Sequence, residues 1–521
     1  MLYELAYSLI GLVGLAYALD YALGLRYDAR EPPRLPSRIP LIGHLLGIVY
    51  YGTVYYNQTS ERTNDEIYTL DILALKIYVS RSRRLIPVIQ KASKTLSFRP
   101  FVRVVADKMA GNSESACDLF DGPFVDEWSS VVKNALLPGV HQDDQNLRMA
   151  NSVISLVDDL VNGGKGKTVG LLGWTQHLIV EATSCGFFGM KHPFRDPEVG
   201  KAFWRWQLYL RAHMASLDFF GKANVEREVV HKSIIEYCRQ LPDDASKVVV
   251  DRQHILKKAG MGFEDAAKQE TLFCVAMFGN TTPTLYWTIW ELFSRPSLLE
   301  EVRREVEENA VIRNTTGEED ILDVAALKTQ CPLLLSMFQE TQRIHHVHAN
   351  IRKVTADTLI DNGRYLLRKG NYVQMAGSPI HYSQDVWGPT VREFDPYRFM
   401  EQHSRKKEKA KDKDDSSSSF APHPSSHLAW GTPPHLCPAR QFAATEIMIT
   451  VALLAMECDI APKSGQGQWK SPPLRYNDVA AVLSPGEEFE IEVKPRSGAG
   501  GENFDGHTHV TEHLLSDFVW T

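Results

Sequence analysis

The chain is poor in cysteine. It has seven in 521 residues, at 117, 185, 238, 274, 331, 437 and 458, an odd number widely scattered. None forms a CxxC or a Cys/His spacing of the zinc type, so neither a disulfide framework nor a zinc module is expected. The thiols read as reduced and cytosol-facing. Positive charge is not in excess either: the net charge is −7 and the pI is near 6.2. Nucleic acid is therefore not expected as the main partner. The first residues carry no positive charge, which, with the cysteine pattern, argues against a cleaved secretory signal.

Hydrophobic residues make up 44% and aromatics 10%, enough to fill one large helical core or two or three average domains. Residues 2–25 are apolar except for Glu4 and Asp20. As a helix they would extend about 36 Å, enough for a bilayer core. Asp20 lies near one end, where it can reach the interface. Arg26, Arg30, Arg34 and Arg38 follow, placing the rest of the chain in the cytosol by the positive-inside rule. Residues 1–25 are thus expected to be a single-pass signal-anchor, and the proline-rich stretch 26–45 a stiff hinge.

Residues 46–496 are expected to form one domain, mostly helical with small sheets. Residues 65–90 alternate as a hairpin would, and helical periodicity dominates from about 100 to 345. Phe203, Trp204, Trp206, Tyr209, Phe219 and Phe220 form one aromatic helical stretch. The apolar helix Glu270–Phe293 contains Phe278-Gly-Asn-Thr-Thr-Pro283, poor filling for a buried helix, and Pro283 should kink it. Thr281 either serves function there or bonds its own backbone. Charged residues 401–419 read as a solvated, disordered insertion, and 497–521 as a flexible tail. Residues 473–496 suggest a closing hairpin.

From Phe420 to Cys437 the chain is rich in Pro, His and Ser, and after Cys437 apolar residues recur at helical spacing. Pro438 suits a first helical position. A thiol at a helix N-terminus is readily held as thiolate, the form that ligates iron, although a buried structural cysteine is the bland alternative.

This loop resembles the haem-ligand loop of cytochromes P-450: Trp430 stands at its aromatic position, Gly431 at the first glycine, His435 at the basic position, Cys437 at the ligand and Ala439 at the last small position. Pro433 departs from the second glycine. Other motifs extend the resemblance over nearly the whole chain. Glu340 and Arg343, 97 residues before Cys437 (437 − 340), with Arg398 in Phe394-Asp-Pro-Tyr-Arg-Phe, match the family's structural Glu-Arg-Arg triad. Arg352 matches a propionate-binding arginine. The family's Trp-x-x-x-Arg helix is missing from the 120–150 region, where His141 and Arg148 are weak substitutes. Gly279-Asn280-Thr281 resembles the oxygen-activating motif in either of two registers. In one, Asn280 replaces the acid and Thr281 is the alcohol; in the other, Asn280 replaces the alcohol. The Asn280 pattern with Trp287 beyond is similar to the sterol 7α-hydroxylase and prostacyclin synthase branch, and the chain is similar to fungal natural-product members.

The resemblance implies a mainly α P-450 fold with small sheets, a haem b held by Cys437, and proton relay by Asn280 and Thr281. It also implies a location at the endoplasmic reticulum membrane. Since the chain has no dinucleotide fingerprint, electrons would come from a separate NADPH–cytochrome P-450 reductase. The expected activity is monooxygenation of an apolar sterol-, terpenoid- or polyketide-like compound. The alternatives are a haem-thiolate isomerase or dehydratase that needs no reductase, and a non-enzymatic membrane-anchored binding protein.

Overall fold

In a computed structural model, the chain is described over residues 2–24, 27–73, 75–161, 166–313, 320–400, 425–432, 435–463, 468–476, 478–496 and 509–510. Most of the described residues are helical, with several small sheets. The chain divides into two compact units. The smaller combines Met1–Pro100, His346–Arg392 and Pro422–Leu436, and the larger holds the rest. The insertion expected at 401–419, Pro433, and the tail apart from 509–510 lie outside the described residues.

The smaller unit is built on a five-stranded sheet in the order Ile67–Ile72, Leu75–Ser80, Tyr372–Ala376, Ala349–Val354, Leu96–Ser97. The expected hairpin is its first pair, with Ile67 opposite Ser80. Residues 85–91 are helical instead of strand. Because side chains alternate along a strand, Ile67 and Tyr78 join one core cluster while Tyr68, Leu70 and Val79 join another. Both faces of this sheet are therefore covered.

The proline-rich stretch is pinned to this sheet. Leu35 N–H donates to Thr69 O at 2.9 Å, and Thr69 N–H donates to Pro33 O at 2.8 Å. A helix starts at Gly43, inside the span expected as hinge.

Leu2–Gly24 is one 23-residue helix. Among the described residues, however, no helix is long and apolar enough to cross a membrane, so the expected single-pass anchor is not supported. Glu4, Asp20 and the scattered Tyr3, Tyr7, Tyr17 and Tyr21 interrupt its apolar character. Asp20 also accepts hydrogen bonds from Arg34 at 2.6 Å and from Leu41 N–H at 3.3 Å, tying the end of the helix into the folded unit.

The larger unit is helical. Its longest element, Phe263–Phe293, starts with Glu264 and Asp265 in the first turn, where acids suit the helix dipole. It stays helical through Pro283. Nearly every residue in its second half is buried, and Trp287 anchors it. The Trp287 indole N–H donates to Leu483 O at 2.9 Å, and its ring stacks on His345 at 4.4 Å. The expected aromatic stretch at 203–220 is broken. Pro197–Gln207 buries Phe203 and Trp206 completely, a short helix Leu210–Met214 follows, and Phe219 and Phe220 are 79% and 88% exposed. Two three-stranded sheets complete the unit. In one, Glu490–Pro495 lies between Cys458–Pro462 and Lys167–Gly170. In the other, His509–Val510 pairs in parallel with Ile321–Leu322.

Glu340 and Arg343, three residues apart on the helix Pro332–His345, form a bidentate pair with both bonds 2.7 Å long and neither side chain accessible. Arg398 donates to the same Glu340 oxygen at 3.1 Å, as does Asp395 N–H at 3.1 Å. Removing one member of a fully buried pair leaves an uncompensated charge, costing about 3–5 kcal/mol. Arg343→Met is therefore expected to lower the urea unfolding midpoint sharply or abolish soluble expression. Arg398→Met should cost less, because that side chain is 10% accessible and makes one longer bond to Glu340.

Candidate haem-thiolate site

Cys437 lies two residues before Ala439, which caps the helix Arg440–Glu457. Pro438 belongs to the turn ahead of this helix and is not its first residue. The thiol is deep in the protein, yet the residue as a whole remains partly accessible. Every other cysteine is buried, and all seven are free. Burial raises the Cys437 thiol above its ordinary value. The Ala439 backbone N–H and the charge of Arg440 pull the other way without prevailing. The helix terminus alone does not hold the thiolate, contrary to the sequence expectation. A bound metal ion would, since coordination deprotonates a thiol.

The loop before Cys437 belongs to the smaller unit. Gly431 has φ +87°, and a Cβ there would stand 2.8 Å from His435 O, so glycine is required. Gly431–Thr432 pairs antiparallel with His435–Leu436, forming a tight loop. Trp430 is half-buried and His435 is exposed, its ring 5.6 Å from that of Phe98. Arg352, on the strand Ala349–Val354, is 4% exposed and has its guanidinium 5.7 Å above the same Phe98 ring. Its Nη1 donates to Ile351 O at 2.7 Å, while its buried Nη2 has no hydrogen-bond partner. Burial pushes its pKa down to about 10.

These residues fit haem. A buried cation with a free N–H suits a propionate, and a deep, unpaired thiol just ahead of a buried helix suits an axial ligand. A glycine loop that tolerates no side chain suits close approach of the backbone.

On the helix Phe263–Phe293, Asn280 is exposed and its Oδ1 accepts a hydrogen bond from Ala481 N–H at 2.7 Å. Thr281 is buried, and its hydroxyl donates to Met277 O at 2.8 Å. The bland alternative for Thr281, bonding its own helix, is what the structure has. Sequence reasoning missed Thr282, whose hydroxyl is buried without a partner. It also missed Gln207, whose Nε2 would stand 3.2 Å from a Cβ on Gly279. A glycine inside a helix was the available signal for that close approach. Phe98, which gathers Arg352 and His435, gave no signal. Arg148, the weak substitute for the missing arginine, donates to Cys185 O and Gly186 O. His141 is exposed.

A mostly helical fold with a cysteine on a glycine-turned loop before a buried helix, and a buried Glu-Arg-Arg triad, defines a haem-thiolate protein. Residues 195–492, more than half the chain, match the model of the Cytochrome P450 family. The chain belongs to that family and is a haem-dependent monooxygenase, an oxidoreductase with haem iron as cofactor. It is 28% identical to cytochrome P450 monooxygenase nodJ of Hypoxylon pulicicidum over 92% of each chain. A cytochrome P450 monooxygenase of Gibberella zeae is 26% identical over 94% of each chain. Cytochrome P450 monooxygenase janQ of Penicillium janthinellum is 28% identical over 42% of each. The isomerase and binding-protein readings find no support in these relatives.

The unpaired Arg352 generates a test that needs no cofactor. Replacing a buried charge by a well-packed apolar side chain stabilises by about 1–4 kcal/mol where no partner is lost. Arg352→Met is therefore expected to raise the urea midpoint of the haem-free chain. A lowered midpoint would mean that the guanidinium finds a partner in solution.

Proposed function

We propose that this monooxygenase hydroxylates an apolar small molecule of the sterol, terpenoid or polyketide kind. The Asn280–Ala481 hydrogen bond carries the reading. It joins the helix Phe263–Phe293 to the segment 478–484, where Ala480, Val482 and Leu483 are buried and Val479 is exposed, so an apolar wall runs between Asp478 and Ser484. Such a wall recognises apolar surface by burial and offers few groups to a polar substrate.

Cys437 is proposed as the axial ligand, and Arg352 and His435 as partners for the propionates, with Trp430 packing beside them. Glu340, Arg343 and Arg398 hold the fold and take no part in the chemistry. Bound haem supplies oxygen activation, which a thiolate ligand favours by electron donation. Asn280 donates and accepts hydrogen bonds but does not ionise, so protons would reach the oxygen through water held by its amide. Thr281 is a poor relay while its hydroxyl stays on Met277 O. That favours the register in which Asn280 takes the alcohol's place. Electrons are proposed to come from NADPH through a separate reductase, since this chain carries no dinucleotide fingerprint.

The test compares Asn280→Ala and Thr281→Ala with wild type by hydroxylated product against hydrogen peroxide per NADPH consumed. Asn280→Ala should divert most electrons to peroxide, and Thr281→Ala should change the ratio little. If neither variant uncouples while wild type hydroxylates, Asn280 is outside the proton path. Cys437→Ala should abolish the thiolate-type spectrum of the reduced CO complex, and Cys274→Ala should retain it. A spectrum retained without Cys437 overturns the ligand assignment.

We also infer attachment to the endoplasmic reticulum membrane with the catalytic portion in the cytosol. The exposed apolar side chains of the first helix, Leu12, Val13, Leu15 and Leu19, support it. So do Phe219 and Phe220, exposed at a loop in the larger unit, as interfacial aromatics are. A chain starting at Tyr27 keeps the Tyr27–Asp71 and Glu31–Lys76 contacts and should retain haem. It should lose most of its membrane attachment after an alkaline wash. Complete pelleting of this shorter chain with membranes would rule out the first helix as the main attachment.

A further inference from the structure

The end of the helix Leu171–Phe188 carries a side-chain cluster that the proposed reaction does not use. Glu181 and Cys185 are four residues apart and lie above one another on one helix face. The chain turns at Gly189, which has φ +79°, and brings back His192. A Glu181 carboxylate oxygen, Cys185 Sγ and a His192 ring nitrogen all lie within 4.8 Å of one another, and all three residues are buried. The His192 side chain is wholly inaccessible, with Nε2 3.4 Å from Glu181 Oε1, and neither ring nitrogen makes a hydrogen bond. An imidazole carries polar capacity at both nitrogens, and here only the long approach of Nε2 to Glu181 answers it, which is costly in the interior.

In this conformation Arg195 supplies the positive charge. Its Nη1 pairs with the Glu181 carboxylate and its Nη2 lies 3.7 Å from Cys185 Sγ. The arginine side chain is 48% accessible, however, and can withdraw into water. Beside the cluster lies a cavity of about 770 Å³ lined by Arg148, His177, Glu181, Cys185, Arg195 and Trp204. It gives an ion a way in and leaves room for a water.

We propose that Glu181, Cys185 and His192 bind a divalent cation of the zinc class, displacing Arg195. Carboxylate, thiolate and imidazole together are a zinc donor set, and water from the cavity completes four-coordination. The charges balance. The Cys185 thiol gives its proton to solvent, the thiolate and the Glu181 carboxylate neutralise the dication, and Arg195 leaves as a cation with a solution anion. Bound metal staples the turn at Gly189 to the helix. No zinc signal is legible in the sequence here, because one cysteine, one glutamate and one histidine make no recognised spacing.

The test uses the full-length holoenzyme, incubated with zinc sulfate and gel-filtered, with zinc and iron counted by mass spectrometry. About one zinc per haem iron is expected, with a sulfur near 2.3 Å in the zinc K-edge X-ray absorption. Binding should tighten between about pH 6 and about pH 8 as the thiol proton leaves. Cys185→Ser and His192→Ala should each weaken zinc at least about tenfold, and Arg195→Gln should strengthen it. The reduced CO spectrum of each variant reports that it has folded around haem. Zinc retained equally by the Cys185→Ser/His192→Ala double variant, or none retained by wild type, overturns the proposal and leaves an Arg195–Glu181 ion pair.

Discussion

A charge taken out of water has to be answered by another charge, and the larger unit is arranged around one such answer. Glu340 accepts two bonds from Arg343, one from Arg398 and one from the Asp395 backbone, with its carboxylate inaccessible. That fixes the helix Pro332–His345 against the segment 393–399, whose Phe399 N–H also bonds Ser336 Oγ at 2.9 Å. The same helix presents His345 to Trp287 and to Glu291, at 2.8 Å, so the register of the long helix follows from it. Asn280 and Thr281 are held two turns earlier along that helix. The placement of Asn280 and Thr281 thus depends on a buried ion pair more than fifty residues further along the chain.

Much of this was legible because it is local. Glu340 and Arg343 are three residues apart, and that spacing on a helix dictates a shared face. The hairpin at 67–80 follows from alternation, and the helices at 296–309 and 332–345 each open on a proline. Cys437 stood out because a Pro- and His-rich loop gives way to helical periodicity around it.

What the sequence could not show is where a balance is struck between opposed terms. The helix terminus after Cys437 favours thiolate, and burial disfavours it; only the fold sets how deep the thiol lies, and burial wins. Thr281 carries a hydroxyl in a suggestive motif, yet the helix carbonyl four residues back claims it. The proline-rich stretch has a linker's composition, but Leu35 and Thr69 pair their backbones across a separation that no periodicity reveals. Asp20 stands out in residues 2–25 as a charge near a helix end, but that it belongs with Arg34 shows only in the fold. In each case the deciding partner is distant in sequence or is the solvent itself.

The contrast between two arginines shows where this physics turns into function. Arg343 has every bond it needs within the fold, so its burial costs nothing further and it has no capacity left for a ligand. Arg352 is almost as deeply buried, yet one arm of its guanidinium is unanswered, and burial pushes its pKa down to about 10. A fold keeps such an imbalance only where something outside the chain relieves it, because an apolar residue of similar size would otherwise be more stable. The same reasoning separates His345, satisfied by Glu291, from His192, whose ring nitrogens are both without hydrogen bonds. These side chains thus differ in what the fold leaves for them to bind: Arg343 and His345 are answered within the chain, while Arg352 and His192 keep polar atoms without hydrogen bonds.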